Sequence, residues 1–480
     1  MSQPNLLLIL CDQLRRDALA CHGDPNAVTP NLDALAREGV RFDAACSTYP
    51  VCVPYRFSLM TGHYAHSRMV PAILWRMSPA ERTLADVFNE AGYESIYIGK
   101  WHLSGGLGPG LMNRPVPREH QGRWSRWFGF EFRNNYYDTA WFEDDDPTPH
   151  PIRGHQTDGL FELAGDYLAR RRRDRPFALA LSIEAPHPPF EVPDAYERKW
   201  LDRDLVLPEN FMVAPDHEEL AAAAWSVRRP PSDRGALLRS RALYYAMLEQ
   251  IDDNVGRLMA SLRETGQDRD TIVVFTSDHG EFGGSHALHE KQYPLEESTG
   301  VPLMVWGPGR GIPAGRVLPE PTCTEDLFPT LLGLCGLPTG SREPLHGVDL
   351  TPLVRGEAGA EALDRPGVML EFVAEVRPGV VFHQRTWRAF RSRRYKYVVL
   401  GGGAEGLKPW QFFDLEADPG ELHNRVNDPA CADLLRDHHG WLRERMIATG
   451  DDAPLAPAFG HDWLNRWADV ALKAHKGERF

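Results

Sequence analysis

Short apolar runs, each closing on polar residues of a reactive type, limit most what this chain can fold into. Leu6-Leu7-Leu8-Ile9-Leu10 runs into Cys11-Asp12-Gln13. Glu94 to Ile98 ends in Gly99-Lys100-Trp101-His102, and Phe177 to Ile183 leads to Pro186-His187-Pro188. Thr271 to Ser277 ends in Asp278-His279-Gly280-Glu281. Runs this short and this apolar read as buried strands, of the kind found at the centre of a parallel sheet. In open α/β sheets, ligands bind beyond the carboxyl ends of the strands. The chain therefore reads as α/β, with its functional residues at one sheet edge. Helices are expected from Thr29 to Val40, Pro79 to Ala91, Leu237 to Leu262 and Thr324 to Leu334.

A chain of 480 residues is too long for one compact core, so two domains are expected. The character changes after Gly356. Phe390 to Leu400 alternates and then turns apolar, which predicts an antiparallel strand. The boundary is placed at residues 364/365, giving 1–364 and a smaller α+β region over 365–480. The formal net charge of -14 argues against a nucleic-acid partner. It leaves room for an anionic substrate held by a local cluster of cations. Seven scattered cysteines have neither zinc-knuckle nor disulfide-scaffold spacing, so most are read as core thiols in a reducing compartment. Leu6 to Leu10 is too short, and lacks the basic flank, for a signal peptide. No apolar run is long enough to span a membrane, and a cytoplasmic location is expected.

At the strand ends, Asp12 and Asp278-His279 would meet if their strands are neighbours. Two carboxylates, an imidazole and the Gln13 amide suit a divalent, oxygen-preferring ion such as Ca²⁺, Mg²⁺ or Mn²⁺. The histidine tilts the choice toward Mn²⁺, and the lack of a second histidine site disfavours zinc. For Asp12 alone, a turn or cap is the commoner fate. Lys100 and His102, at i and i+2, would project to one side of an extended chain. Asp252 and Asp253 diverge on their helix and are read as structural.

The stretch Pro50 to Gly62 contains Cys52-Val53-Pro54-Tyr55-Arg56. Read alone, Cys52 is a packed thiol, since burial is that residue's usual state. In company it is more. Cys-x-Pro-x-Arg resembles the signature of the type I sulfatases of the alkaline phosphatase superfamily. Further matches follow in family order: Thr29 to Val40, Gly99 to His102, Pro186 to Phe190, Asp278-His279, Lys291 and Phe413 to Asn424. Asp12-Gln13 resembles the choline-sulfatase and phosphonate-monoester-hydrolase branch, where other members carry two aspartates.

The resemblance implies an alkaline-phosphatase-like mixed central sheet flanked by helices, with a smaller C-terminal α+β domain carrying an antiparallel sheet. It implies that a formylglycine-generating enzyme oxidises Cys52 to formylglycine, whose hydrate attacks sulfur or phosphorus. Arg56 and Lys100 then orient the nucleophile. His187 and Lys291 bind the transferring group and help protonate the leaving oxygen, and His102 assists collapse of the hemiacetal ester. Asp12, Gln13, Asp278, His279 and the Cys52-derived oxygen hold one metal ion, Ca²⁺ or Mn²⁺ ahead of Mg²⁺. The expected activity is hydrolysis of small-molecule sulfate monoesters. Phosphonate monoesters and phosphodiesters are the alternative substrates, and a non-catalytic metal-binding protein is the reading from another class. Tyr55, where Ser or Ala is usual, and Gly300, where Arg is usual, depart from the pattern.

Residues 104–155 are read as an irregular insertion that packs its aromatics, or as a rim in which Trp124 and Trp127 select the substrate. Arg170 to Arg173 with Arg175 is read as a solvated helix end. The tail from Leu455 to Phe480 is expected to dock on a neighbouring subunit of a homo-oligomer.

Overall fold

A computed structural model describes residues 3–453, apart from 71–72, 74, 106–113, 214–232, 342, 374–375, 378–379, 382–385 and 402–405. The tail expected to dock on a second subunit lies outside the described residues. A ten-stranded sheet is built from β1 (Asn5–Asp12), β2 (Val40–Phe42), β3 (Glu94–Lys100), β4 (Arg126–Phe130), β5 (Ala140–Glu143), β6 (His150–Pro151), β7 (Phe177–Pro186), β8 (Thr271–Ser277), β9 (Leu303–Trp306) and β10 (Arg316–Leu318). Its order is β10-β2-β9-β8-β1-β7-β3-β4-β5-β6. The central strands β8, β1, β7, β3 and β4 all run parallel. Antiparallel pairs at β8–β9, β9–β2, β4–β5 and β5–β6 make the sheet mixed.

The period-2 rule explains why β1 is continuously apolar. Leu6, Leu8 and Leu10 enter the core on one face, and Leu7, Ile9 and Cys11 enter the core on the other. The Cys52–Thr61 and Thr324–Leu334 helices cover the first face. The long Arg234–Glu264 helix, with Pro30–Glu38 and Gln156–Arg170, covers the second. Asp252 is structural, as its helical setting predicts. Its carboxylate accepts the backbone N–H groups of Asn31 and Leu32 at 3.1 and 2.8 Å, capping the Pro30–Glu38 helix from a neighbouring helix.

Three local expectations are corrected. The segment after residue 104 is not an irregular insertion throughout, because Arg126–Phe130 extends the parallel sheet beside β3. Trp124 and Trp127 are buried around Tyr97, with ring centroids 5.4 and 5.0 Å away, and form core rather than rim. The helix expected over 79–91 begins only at Leu84, because Thr83 and Asp86 form a capping box there.

The C-terminal region starts with β11 (Gly367–Phe372) and a small pair, β12 (Val376–Arg377) and β13 (Val380–Val381). Next come β14 (Thr386–Ser392), β15 (Tyr395–Gly401) and β16 (Leu407–Asp414), which with β11 form an antiparallel sheet ordered β11-β14-β15-β16. The single strand expected over 390–400 is a hairpin. Ser392 Oγ accepts Tyr395 N–H at 3.1 Å and turns the chain at Arg393-Arg394. This sheet shares a core with the main one: the Tyr49 and Phe372 rings meet at 5.3 Å, and Glu371 N–H donates to Thr48 O at 2.7 Å. The seven cysteines are free thiols, and no helix among the described residues is long and apolar enough to cross a membrane.

Candidate active site

Because β1 and β8 are parallel neighbours with Cys11 opposite Ser277, Asp12 and Asp278 leave the sheet side by side. The ends of β7 and β3 bring His187 and Lys100 to the same edge. Gln13 turns away through a left-handed backbone (φ 72°), and its N–H donates to Asp278 Oδ1 at 3.0 Å.

Cys52 opens the Cys52–Thr61 helix, and Arg56 follows one turn later on the same side. Cys52 Sγ lies 3.7 Å from Asp12 Oδ1 and 3.2 Å from His279 Nε2. Arg56 reaches across the sheet end. Its Nη2 contacts Asp12 Oδ2 at 3.2 Å and Asp278 Oδ2 at 3.1 Å, and its Nη1 donates to Lys100 O and Ser182 Oγ. Lys100 Nζ stands 2.6 Å from Asp12 Oδ2. Burial opposes the charge on Asp12, but Lys100, His187 and Arg56 hold its carboxyl well below the usual carboxylate range. Burial and Asp12 push the Cys52 thiol up to about 12, against the pull of Lys291 and Lys100.

Ligand atoms of Asp12, Cys52, Asp278 and His279 all lie within 4.8 Å of one another, and all four residues are buried. His279 Nδ1 faces Gly280 O at 3.1 Å, which aims Nε2 at this cluster. Two carboxylates and one imidazole edge fit a single divalent cation. Gln13 stands beside the cluster with its amide engaged elsewhere: Oε1 accepts from Lys291 Nζ at 2.6 Å, and Nε2 donates to Glu281.

The two candidate acid–base histidines differ in setting. His102 follows β3 with φ 58°, so it joins Lys100 through a turn rather than along extended chain. Among the described residues both of its buried ring nitrogens have no hydrogen-bond partner, and its ring packs on Phe132 at 4.8 Å. Burial and Lys100 hold its pKa well below the usual value. His187 is fixed through Nδ1, 2.6 Å from Pro188 O, and through Tyr136 OH, which donates to its carbonyl at 2.6 Å. Burial and Lys291 lower it to about 3.

Several residues of the site were not singled out from sequence. Glu184 accepts the N–H of Arg133 at 2.7 Å and the amide of Gln156 at 2.9 Å, with Lys100 Nζ at 3.8 Å. Glu281 and Glu290 hold Gln13 and Lys291. The one available signal was Glu184 itself, a lone carboxylate near the end of an apolar strand. Tyr55 is buried in the hydrophobic core. At Gly300, an added Cβ would lie 2.7 Å from Glu296 O and 3.3 Å from the Arg16 guanidinium carbon, so Arg16 occupies space that a side chain at 300 would need.

The family profile described as Sulfatase matches residues 4–337, and that of the N-sulphoglucosamine sulphohydrolase C-terminal region matches residues 284–447. An ulvan-active sulfatase of Formosa agariphila is 31% identical over 460 residues, covering 94% of this chain and 82% of its own. An arylsulfatase of Clostridium perfringens is 29% identical, over 93% of this chain and 94% of its own. The crystal structure of the phosphonate monoester hydrolase of Agrobacterium radiobacter superposes with a TM-score of 0.72 at 26% identity, covering 93% of this chain and 96% of its own.

Proposed function

The chain belongs to the sulfatase family and hydrolyses sulfate esters, and we propose that it does so through a formylglycine made from Cys52 beside one divalent metal ion. The observation that carries this reading is the position of Cys52. It is buried at the start of a helix, its Sγ 3.7 Å from Asp12 Oδ1 and 3.2 Å from His279 Nε2, within the cluster that would hold the cation. Hydration of a formylglycine at this position would give a geminal diol, one hydroxyl of which attacks sulfur while the other loses its proton to expel sulfate and restore the aldehyde. A divalent cation supplies positive charge for the nonbridging oxygens. Asp12, Asp278 and His279, with Gln13 beside them, would hold that cation, Ca²⁺ or Mn²⁺ ahead of Mg²⁺.

The chain's own groups complete the assignment. Arg56 and Lys100 fix the metal-side carboxylates and orient position 52. Lys291, held by Glu290 at 3.2 Å, presents a cation to the transferring group. Its charge is favoured by Glu290 against the cost of burial. His187 keeps its Nδ1 proton on Pro188 O, so Nε2 is the atom that takes up and returns a proton at the leaving oxygen. An anionic substrate would raise its pKa toward the working range. His102, buried and unpartnered among the described residues, serves release of the bound sulfate.

The test begins with the mass of the tryptic peptide Phe42 to Arg56 after co-expression with a formylglycine-generating enzyme. Conversion of the Cys52 thiol to an aldehyde is expected, and an intact thiol in active enzyme would end this mechanism. The similarity to a phosphonate monoester hydrolase supports a second substrate class in the same site. Sulfate and phosphonate esters of one phenol should be compared, and a clear phosphonate preference would reassign the principal substrate.

A further inference from the structure

A cavity of about 310 Å³ opens beside the site, between the loops after β1, β7 and β8 and the start of the Arg234–Glu264 helix. Pro188 and Glu290 line it, and they are the chain neighbours of His187 and Lys291. On the assignment given above, which this inference rests on, His187 attends the leaving oxygen and Lys291 the transferring group, so the cavity adjoins the leaving-group side of the site through Glu290, which faces Lys291, and Glu281, which holds Gln13. Phe190 and Tyr244 give it apolar walls, and its volume suits a ring of monosaccharide size.

Arg15, Glu281 and Glu290 at this cavity are each engaged by close partners. Arg15 grips both oxygens of Asp17 and donates to the carbonyls of Glu281 and Phe282 at 3.2 and 3.1 Å. Glu281 accepts from the N–H groups of Gly283 and Glu290, and Glu290 faces Lys291. Arg241 differs. It is 6% exposed, makes two long bonds to Gly283 O (3.2 Å) and Tyr245 OH (3.3 Å), and its buried Nε has no partner among the described residues. No carboxylate lies within ion-pair distance of it among the described residues. Its charge is answered at longer range, by Asp17 and, through the Tyr245 hydroxyl, by Asp24. A guanidinium that lines a cavity with no close carboxylate keeps donor capacity for a planar carboxylate ligand.

We propose that this cavity is the alcohol subsite and that Arg241 selects a carboxylate there, so that the preferred substrates are sulfate esters of sugar acids. Glu290, at the catalytic end of the cavity, accepts from a ring hydroxyl, and Phe190 and Tyr244 cover the ring faces.

The matched monosulfate regioisomers of glucose and glucuronic acid test this with the matured, metal-loaded enzyme. The wild type should favour a glucuronic acid ester over its glucose partner by about tenfold or more in kcat/KM, the scale of one charged hydrogen bond. Arg241→Gln should bring that ratio close to one, and Arg241→Lys should keep part of it. Absence of a carboxylate preference in the wild type, or an unchanged ratio in both variants, overturns the proposal. Titration calorimetry of free glucuronate and glucose against Cys52→Ala protein separates this from the sulfatase reading, since it requires no turnover. Glucuronate should bind more tightly, and the preference should vanish with Arg241→Gln added. Equal binding of the two sugars would overturn the proposal whatever the hydrolysis assays give.

Discussion

Arg56 donates through Nη2 to Oδ2 of Asp12 at 3.2 Å, with both side chains buried. The same nitrogen lies 3.1 Å from Asp278 Oδ2, so one guanidinium fastens the ends of two neighbouring strands to the helix that begins at Cys52. Arg56→Ala would leave two buried carboxylates short of a cation and should destabilise the fold by about 3–5 kcal/mol. Arg56→Lys keeps the charge but loses the fork, and should fold while losing about 100-fold in kcat. Urea unfolding and aryl sulfate kinetics measure both, and wild-type kcat in the lysine variant would refute the orienting role.

Cys52→Ala should fold with near wild-type stability, since it removes one sulfur atom from a helix start. Hydrolysis should fall by about 10³-fold or more, as expected for loss of a nucleophile. Retention of activity, assayed on protein whose mass shows alanine at position 52, would exclude the formylglycine mechanism.

Dialysis against a chelator should abolish hydrolysis and lower the melting temperature, because Asp12 and Asp278 would lose a shared cation. At metal concentrations about 100 times Kd the stabilisation restored is about 2.7 kcal/mol. Readdition of Ca²⁺, Mn²⁺ and Mg²⁺ in parallel ranks the ions. A melting curve and activity insensitive to chelation would disprove a metal at this cluster.

His66 gives a pH dependence away from the catalytic centre. Its Nδ1 faces Glu371 on β11, and its Nε2 lies 3.1 Å from Thr449 O. Burial disfavours its charge, but Glu371 and Asp451 raise it to about 9. A folded-state pKa above the unfolded value gives stability that is complete below about pH 6.5 and is lost as pH rises through about 9. Unfolding free energy should fall by on the order of 3 kcal/mol across that window, and His66→Gln should flatten the fall. Identical pH profiles for both proteins would show that His66 does not carry it.

Asp252→Ala should cost about 1–2 kcal/mol by uncapping the Pro30–Glu38 helix, with kcat unchanged. A fall in kcat or in bound metal would instead make Asp252 part of the active site.

The ends of the buried strands were legible in the sequence because a two-sided apolar strand leaves no other place for Asp12, Lys100, His187 and Asp278. Cys52 with Arg56 was legible because helical spacing puts them one turn apart on one face. Strand neighbours, by contrast, depend on long-range pairing. Only the adjacency of β1 and β8 brought Asp12 to Asp278, and only the fold placed Arg126–Phe130 in the sheet. The roles of Glu184, Glu281 and Glu290 were hidden for the same reason. Their partners Lys100, Gln13 and Lys291 are recruited mostly from other elements, and no local pattern records that choice. Arg241 shows the limit most clearly. On its helix it is one more basic residue, and its meaning comes from a cavity that exists only once distant segments have packed together. The sequence by itself determined which chemical groups stand at the sheet edge, through periodicity and covalent neighbourhood. Tertiary structure decided which of them share charge, because that depends on distances between segments far apart in the chain.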